Sequence, residues 1–460
     1  MGRGFQIFQK VIRLPKGGMW EIWAAGAAVV VGAFLRLDSY SSVPYRAPNP
    51  DEWNWAWAGL SQLQGMPPTA WTIFWKAYPQ SVWAAPPAPY TEPLVHPWID
   101  APPLFSWLIG AYAWLDGDRT LNDVISDPTP RLLGILLSLA AMALAYGVGR
   151  LVLGVFPSLV GLWLLATAPI PVLLDRLVAA EQLIAVLLLA ACLAIYQLRR
   201  TPDDRRWLGL LLGCCLVAPW VKAPGLVVGI SAVLLLLARQ QFRIAALAGG
   251  ITIASQAVVL AYTASLDWHS YIAEVSIRAS QLSALTGYRF ITNSTGFDGQ
   301  QALDGWWLLG WLGLAEFLGR RRGDSDLVAV PAVVYLVLML GTAADYSAGY
   351  GWYRLAVMPL VYLAAGRFLW LAVWELSWVR LGIAAALAIA TAANWAVPLH
   401  IKFDAVNMGL IVLLAMLPAL IALARPGLRT YARAGSVTLL AAIVPVSLLE
   451  VANLAYIYGS

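Results

Sequence analysis

The chain is divided into apolar stretches that are each long enough to cross a lipid bilayer as a helix. A membrane-spanning helix needs about 20 mostly apolar residues. Of the 460 residues, 60% are hydrophobic and only 12% are charged, whereas a soluble domain carries about 25% charged residues. So few charges could not cover the surface of a water-soluble fold of this size. The pattern therefore predicts an all-α polytopic membrane protein.

About 13 stretches have the length and composition of a transmembrane helix. They are residues 20–37, 131–150, 155–174, 178–197, 207–221, 225–238, 244–265, 306–319, 327–345, 355–374, 381–399, 408–424 and 435–456. A shorter, proline-led stretch at 101–115 is below the usual length of a span. We expect a single domain over residues 1–460, with about 13 transmembrane helices and a helical external first loop at 38–100.

The distribution of Lys and Arg predicts how the chain is oriented in the membrane. Short loops rich in these residues lie on the cytoplasmic side. The N-terminal segment and four later loops carry such residues, namely Arg3, Lys10, Arg13, Lys16, Arg199, Arg200, Arg205, Arg206, Arg239, Arg243, Arg320, Arg321, Arg322, Arg425, Arg429 and Arg433. We expect a cytoplasmic N-terminus, external loops at 38–100 and 266–305, and an integral protein of the bacterial plasma membrane.

Two adjacent carboxylates stand out in the first external loop. Asp51 and Glu52 precede an aromatic run that includes Trp53 and Trp57. Acidic residues are favourable in the first turn of a helix, so the pair could serve as a helix N-terminus. A carboxylate held at the membrane surface could instead act as a general base. Composition alone leaves both interpretations open.

Two cations lie at outer membrane depth in this topology. Lys222 occupies a break between two apolar stretches, and Arg354 precedes a stretch that begins near Pro359. Cations at this depth are costly unless they are paired or reach the interface. Each could bind a phosphate, for which Arg has a forked donor geometry, or could anchor a helix end at the interface.

The second external loop, at 266–305, is long and polar, as active-site lids often are. Its polar and aromatic residues are Asp267, His269, Tyr271, Arg278, Tyr288 and Arg289. We expect this loop to form a lid over the site.

Several classes of function are not indicated. The three histidines, His96, His269 and His400, are far apart in the sequence, and the external acids lack metal-ligand spacing. We therefore expect no metal and no cofactor. The net charge of +5 is spread over separate loops, which is not the pattern of a nucleic-acid-binding surface.

Several short motifs occur in an order that is similar to a known superfamily. They are Arg36-Leu37-Asp38, Asp51-Glu52, His96-Pro97, Asp100-Ala101-Pro102-Pro103-Leu104, Arg131-Leu132-Leu133, Gly149-Arg150, Asp175-Arg176-Leu177 through Glu181, Lys222-Ala223-Pro224-Gly225, and Tyr353-Arg354 with Pro359. This order resembles the GT-C superfamily of membrane glycosyltransferases, in particular the group with protein O-mannosyltransferases and the aminoarabinose transferase that modifies lipid A. The chain departs from the second branch at Ala101, where that branch has a lysine implicated in holding the donor phosphate.

The resemblance implies transfer of a sugar from a polyprenyl-phosphate donor to a hydroxyl acceptor on the non-cytoplasmic face. The expected partners are the lipid-linked sugar, membrane lipid, and an acceptor that is a glycan, a lipid or a protein. Carried over by motif, Asp51 is the general base, and Glu52 orients the acceptor or tunes Asp51. Without the lysine, the donor phosphate falls to Arg354, Lys222 or Arg46. The remaining residues that we expect to contact substrate are His96, Asp100, Tyr353 and His269.

Two other functions remain open at the level of sequence. A flippase or transporter of a lipid-linked or small polar substrate would also be polytopic, but transporters place ionisable residues at mid-membrane and often have repeated halves. Here the ionisable residues gather near the outer rim and no repeat is visible, which favours an enzyme. A non-catalytic assembly subunit with the same fold is the third possibility, because fold alone does not determine function.

Overall fold

Helices make up most of the described chain in the computed structural model of the protein. The structure describes residues 18–44, 51–78, 81–82, 93–280, 285–292, 305–319, 323–342, 351–396, 405–441, 447–448 and 451–452. The mainly helical architecture confirms the class expected from the apolar pattern. Residues 38–100, named the first external region after their predicted location, also contain three two-residue strands, which the all-α prediction missed because so short a strand leaves no alternating pattern to recognise.

The helices follow the apolar stretches closely. They are α1 (Met19–Leu37), α2 (Asp51–Leu63), α3 (Pro103–Asp116), α4 (Leu121–Ser126), α5 (Pro130–Val152), α6 (Val155–Thr167), α7 (Pro169–Asp175), α8 (Ala180–Leu198), α9 (Arg205–Val217), α10 (Leu226–Leu237), α11 (Phe242–Ser280), α12 (Leu285–Thr292), α13 (Gly305–Gly319), α14 (Asp326–Thr342), α15 (Met358–Trp374), α16 (Trp378–Ala396), α17 (Ala405–Ala424) and α18 (Arg429–Ala441). Short 3-10 turns occupy Trp75–Ala77, Ala218–Trp220, Ala223–Gly225, Gly351–Arg354 and Pro426–Leu428.

Within the described ranges, 4 helices are long and apolar enough to cross a membrane by themselves: α1, α5, α8 and α11. Helices α6 and α7 are bent by 61° at their junction and become a fifth span if they are counted together. Other apolar helices, including α10, α14 and α15, are shorter than a full span in the described chain. The total of about 13 crossings therefore stays a prediction.

The first external region folds around α2. Its three strands are β1 (Ala70–Trp71), β2 (Ser81–Val82) and β3 (Leu94–Val95), and they form an antiparallel sheet in the order β1-β3-β2. Beside α2 lies α3, which covers the doubtful 101–115 stretch. At 14 residues and 1.5 Å per residue, α3 is about 21 Å long, short of the roughly 30 Å hydrocarbon core. It therefore serves as a packing partner for α2 and is too short to be a span.

The contact between α2 and α3 requires two glycines. A Cβ at Gly59 would lie 1.8 Å from the carbonyl oxygen of Ser106, and a Cβ at Gly110 would lie 2.4 Å from the backbone of Gly59. Only residues without a side chain allow backbones to approach this closely. This contact fixes α2, and with it the acidic residues of its first turn, against the rest of the external region.

The charged residues separate to the two ends of α8. At its C-terminal end, Arg199 contacts Asp326 and Asp324 at 2.8 and 3.3 Å, and Arg200 contacts Asp324 at 2.9 Å. At its N-terminal end lies Glu181. The helix has 19 residues, so these two groups are separated by about 28 Å at 1.5 Å per residue. Helix α2 lies at the N-terminal end of α8, because Glu52 accepts a hydrogen bond from Val178. The basic loops and α2 are thus separated by about the thickness of a bilayer core.

Candidate active site

The first turn of α2 brings Asp51 into a group of charged side chains from distant parts of the chain. Its carboxyl group is only partly exposed. Burial raises the pKa of Asp51, the nearby Lys222 and Arg278 lower it, and Glu181 and Asp100 raise it. These electrostatic effects join a residue near the start of the chain to residues from its middle.

Lys222 lies in the turn between α9 and α10, with its ammonium held by three neighbours. The Nζ atom donates to Oε1 of Glu181 at 2.7 Å. The same atom lies 4.4 Å from the centre of the Tyr353 ring and 5.7 Å from that of Trp55. Burial opposes the charged form, yet the carboxylates of Glu181 and Asp51 raise the pKa of Lys222. Lys222 therefore stays cationic inside the site.

A second group of polar side chains borders Asp51 through Asp100. The carboxylate of Asp100 accepts hydrogen bonds from the hydroxyls of Thr72 and Tyr78. The Tyr78 hydroxyl also contacts Oε2 of Glu274 at 3.1 Å, and Nε of Arg278 donates to Oε1 of Glu274 at 2.6 Å. Burial and the adjacent Glu274 raise the pKa of Asp100.

Glu274 and Arg278 come from the far end of α11, which the sequence analysis treated as a loop. The helix is broken at Asp267, whose backbone is extended, with φ −163° and ψ 95°. The carboxylate of Asp267 then accepts a hydrogen bond from the backbone N–H of Ser270 at 3.0 Å and caps the next helical segment. The Arg278 guanidinium lies 4.2 Å from the centre of the Phe74 ring. The expected lid at 266–305 thus begins as a helix docked on the first external region, and its closing motion stays a prediction.

Glu52 points away from Asp51, although the two residues are adjacent. Its carboxylate oxygens accept hydrogen bonds from Nε of Arg131 at 3.0 and 3.1 Å, and Oε1 also accepts from the backbone N–H of Val178 at 3.3 Å. Arg131 in turn donates to the carbonyl of Tyr40 at 2.7 Å. Glu52 therefore joins α2 to α5 and to the residues before α8.

Arg354 is almost fully buried, with 1% of its surface exposed. Its guanidinium lies 5.4 Å from the centre of the Trp307 ring, and Nη2 donates to the carbonyl of Arg289 at 3.4 Å. The neighbouring Tyr353 turns its ring to Lys222 instead. The predicted pair Tyr353-Arg354 therefore sends one side chain into the Asp51 group and the other toward α12 and α13.

Three further predicted residues have different placements. His96 is half-buried directly after β3, and His269 is exposed, two residues after the break in α11. Arg46 lies outside the described residues. Among the residues that are described, no group of three or more His, Cys, Asp or Glu side chains is arranged to hold a metal ion.

Asp175 and Arg176 are adjacent in the sequence, yet each has its own partner elsewhere in the chain. Asp175 accepts a hydrogen bond from Nη2 of Arg36 at 2.7 Å. Arg176 donates to the carbonyl of Leu35 at 2.7 Å and to that of Val43 at 3.4 Å. Adjacent residues point in different directions at the end of α7, so each one finds a partner from the first span.

Four residues in or next to the group of charges around Asp51 were absent from the predicted site: Tyr78, Glu181, Glu274 and Arg278. Glu181 had been noted within a motif, and Arg278 as part of the lid. The i,i+4 spacing of Glu274 and Arg278 is a helical signal that indicates an ion pair but not its distant partner. Tyr78 carries no signal at all, because only the folding of the first external region brings it to Asp100.

Comparison with known proteins gives a family match for part of the chain. Residues 100–268 match the family profile of the dolichyl-phosphate-mannose-protein mannosyltransferases. No curated protein gives a significant sequence match.

Solved structures with a similar fold include ArnT from Cupriavidus metallidurans bound to undecaprenyl phosphate. The TM-score is 0.53 at 15% identity, over 95% of this chain and 77% of that one. The apo state of the same protein gives a TM-score of 0.51 at 16% identity, over 96% of this chain and 77% of that one. The apo oligosaccharyltransferase from Archaeoglobus fulgidus gives 0.47 at 12% identity, over 91% of this chain and 56% of that one.

Part of the chain, residues 100–268, thus matches a family of the GT-C superfamily of membrane glycosyltransferases, and the chain shares its fold with ArnT. Together these comparisons indicate an enzyme of the GT-C glycosyltransferase type, as the order of its motifs predicted.

Proposed function

We propose that the protein transfers a sugar from a polyprenyl-phosphate donor to a hydroxyl acceptor, with Asp51 as the general base. The observation that carries this proposal is the juxtaposition of Asp51 with Lys222 at one end of the helix bundle. Sugar transfer from a lipid phosphate needs a group that accepts the acceptor proton and a cation that stabilises the departing phosphate. This pair supplies both.

The proposed reaction assigns one task to each charge. The acceptor hydroxyl attacks the anomeric carbon, the bond from that carbon to the phosphate oxygen breaks, and the hydroxyl proton passes to Asp51. A lipid phosphate leaves as an anion, so the departing group needs no general acid. Lys222 is the first cation that we assign to this phosphate. Arg278 is the second, because its charge also lowers the pKa of Asp51.

The pKa of Asp51 suits this task. Burial raises it, and a general base is most effective when its pKa approaches the working pH. An unshielded ion pair with Lys222 would weaken the base by lowering that pKa. A bound phosphate between the two side chains would take up the ammonium charge, so donor binding should strengthen Asp51 as a base.

We further propose that this site faces the non-cytoplasmic side. The basic loops with Arg199, Arg200 and Arg239 lie at the opposite end of α8 from Glu181, and they contact Asp324. Loops with an excess of Lys and Arg stay in the cytoplasm. The Asp51 end of the bundle would then open to the periplasm or the cell exterior, where a lipid-linked sugar is presented after it has crossed the membrane.

The donor class is supported by precedent in the same fold. ArnT from Cupriavidus metallidurans binds undecaprenyl phosphate, and the profile that matches residues 100–268 is that of enzymes using dolichyl-phosphate mannose. We propose a donor of this type for the present chain. Its acceptor would be a hydroxyl of a glycan, a lipid or a protein.

The other predicted site residues receive more specific proposals. Asp100 and Tyr353 border the charged group and would contact the sugar or the acceptor, and His96 lies close after β3. His269 would meet the acceptor from the exposed start of the second helical segment of α11. Glu52 would hold α2 in place and so position Asp51. Arg354 would hold the Gly351–Arg354 turn, which presents Tyr353. A phosphate contact of Arg354 or Arg46 stays a prediction.

Reconstituted transfer would test this proposal. The full-length protein in proteoliposomes would be given polyprenyl-phosphate sugars together with hydroxyl acceptors, and the products identified by mass spectrometry. We expect a glycosylated acceptor and release of the polyprenyl phosphate. Movement of the lipid-linked sugar across sealed vesicles without any glycosylated product would instead indicate a flippase.

A further inference from the structure

Glu181 contacts Lys222 but has no task in the reaction proposed above. It is the second residue of α8, and its side chain is 1% exposed. Oxygen Oε1 accepts the hydrogen bond from Lys222 at 2.7 Å. Oxygen Oε2 is buried and has no hydrogen-bond partner within the described part of the chain. A buried carboxylate that is only half satisfied calls for an explanation.

We propose that Glu181 is a positioning residue that holds the ammonium of Lys222 away from Asp51. This inference rests on the proposed role of Asp51 as the base. Opposite charges attract strongly in a site shielded from water, and Lys has a flexible four-carbon stem that could follow the attraction. A carboxylate that is already paired is a weaker base. Glu181 competes for Lys222 and so keeps the acid and the cation available for separate tasks.

Among the described residues, the carboxylates of Glu181 and Asp51 are the two that raise the pKa of Lys222. The rings of Tyr353 and Trp55 flank the ammonium at 4.4 and 5.7 Å. The backbone of Lys222 is extended between the turn Ala218–Trp220 and the turn Ala223–Gly225, which fixes where the stem begins. A change of partner from Glu181 to Asp51 would therefore come from a movement of the Lys222 stem.

The charges around Asp51 predict that its pKa falls when Glu181 is neutralised. Lys222 from the α9–α10 turn and Arg278 from α11 lower the pKa of Asp51, while Glu181 from α8 and Asp100 from beyond β3 raise it. Replacing Glu181 by Gln removes one negative charge and releases Lys222. Both changes lower the pKa of Asp51, so the base becomes weaker.

The test measures the protonation of Asp51 without relying on turnover. The full-length protein is treated with a carbodiimide and a small amine at a series of pH values, and labelling of Asp51 is followed by mass spectrometry. We expect Glu181→Gln to lower the apparent pKa of Asp51 by about 1 unit, a tenfold change in its protonation equilibrium. Glu316→Gln is the matched control, because Glu316 pairs with Arg380 at 3.0 Å on α13. An unchanged labelling curve in Glu181→Gln would overturn the proposal.

Three further measurements separate positioning from a merely structural role. In sugar transfer, Glu181→Gln should lower kcat about tenfold and move the acidic limb of the pH profile to lower pH. In a Lys222→Met background, Glu181→Gln should shift the labelling curve far less. Glu181→Asp keeps the charge and should give a smaller shift. It serves as the test variant if Glu181→Gln misfolds.

A loss of kcat with no shift in labelling would show that Glu181 only supports the fold. A clear shift in a protein that transfers no sugar would refute the proposed function and leave the positioning role intact.

Discussion

Arg131 and Glu52 form a buried ion pair at the first turn of α2, with Nε 3.0 Å from Oε1 and both side chains 1% exposed. The pair directs Glu52 into the helix bundle, whereas the preceding Asp51 faces Lys222. The two adjacent acids therefore have different partners. The structural interpretation of this acidic pair fits Glu52, and Asp51 is the general base that we propose.

Replacing Glu52 by Gln should destabilise the protein far more than it affects the chemistry of Asp51. The change leaves the charge of Arg131 buried without its ion pair, and breaking a buried pair costs about 3–5 kcal/mol. Thermal unfolding in detergent would show this as a lowered midpoint. Glu375→Gln is the control, because Glu375 pairs with Arg380 while 47% exposed, and pairs at the surface contribute about 0–1 kcal/mol. Equal stability of the two variants would contradict this account of Glu52.

Gly59→Ala should displace α2 and reduce activity. The new Cβ would lie 1.8 Å from the Ser106 carbonyl oxygen, so α2 and α3 must separate. Gly209→Ala in α9 is the matched control, since its Cβ meets nothing within 4 Å, and Gly to Ala in a helix is worth about 0.5–1 kcal/mol of added stability. The measurements are thermal stability and sugar transfer for both variants. A fully active Gly59→Ala enzyme would show that the position of α2 is not critical.

Tyr78→Phe should loosen the second helical segment of α11 from the first external region. The hydroxyl contacts both Asp100 and Glu274, and leaving buried polar groups without a partner costs about 1–3 kcal/mol each. Hydrogen–deuterium exchange should rise in residues 268–280. Tyr431→Phe is the control, because Tyr431 is 76% exposed. Unchanged exchange in Tyr78→Phe would mean that Arg278 and Phe74 suffice to hold the segment.

The sequence predicted the helices because each apolar stretch must be buried in lipid or against another helix. The extent of the apolar stretch indicates where the helix begins and ends. The motifs also predicted one site for Asp51 and Lys222, and the loop charges predicted that both lie on the same side of the membrane. The partner of Asp175 was not predictable. Neighbouring residues at a helix end point in different directions, and only the packing of α1 on α7 brings Arg36 to Asp175.

The rest of the site could not be predicted from the sequence, for a related reason. Glu274 lies in a segment whose sequence is typical of a polar loop, yet Asp267 caps the segment and it is helical. Tyr78 sits in a region of short strands without periodicity. Such contacts depend on tertiary structure, so a pattern in one segment cannot reveal them.

The pH dependence of transfer should report the ionisation of Asp51. The base acts as a carboxylate, and burial raises its pKa above the ordinary value of 3.8. Activity should therefore be lost as the pH falls through that raised pKa. Lys222→Met removes a cation that lowers the pKa of Asp51, so the acidic limb of kcat/KM should move to higher pH. Movement to lower pH would contradict the electrostatic effect of Lys222 on Asp51.

Transfer by Asp51→Asn tests the central claim most directly. The amide keeps the size of the side chain but cannot accept the acceptor proton, and loss of a general base costs about 10²–10⁴-fold in rate. The account predicts that kcat falls by this factor while the variant still binds polyprenyl phosphate, as judged by native mass spectrometry. Transfer at the rate of the unsubstituted enzyme by Asp51→Asn would contradict it.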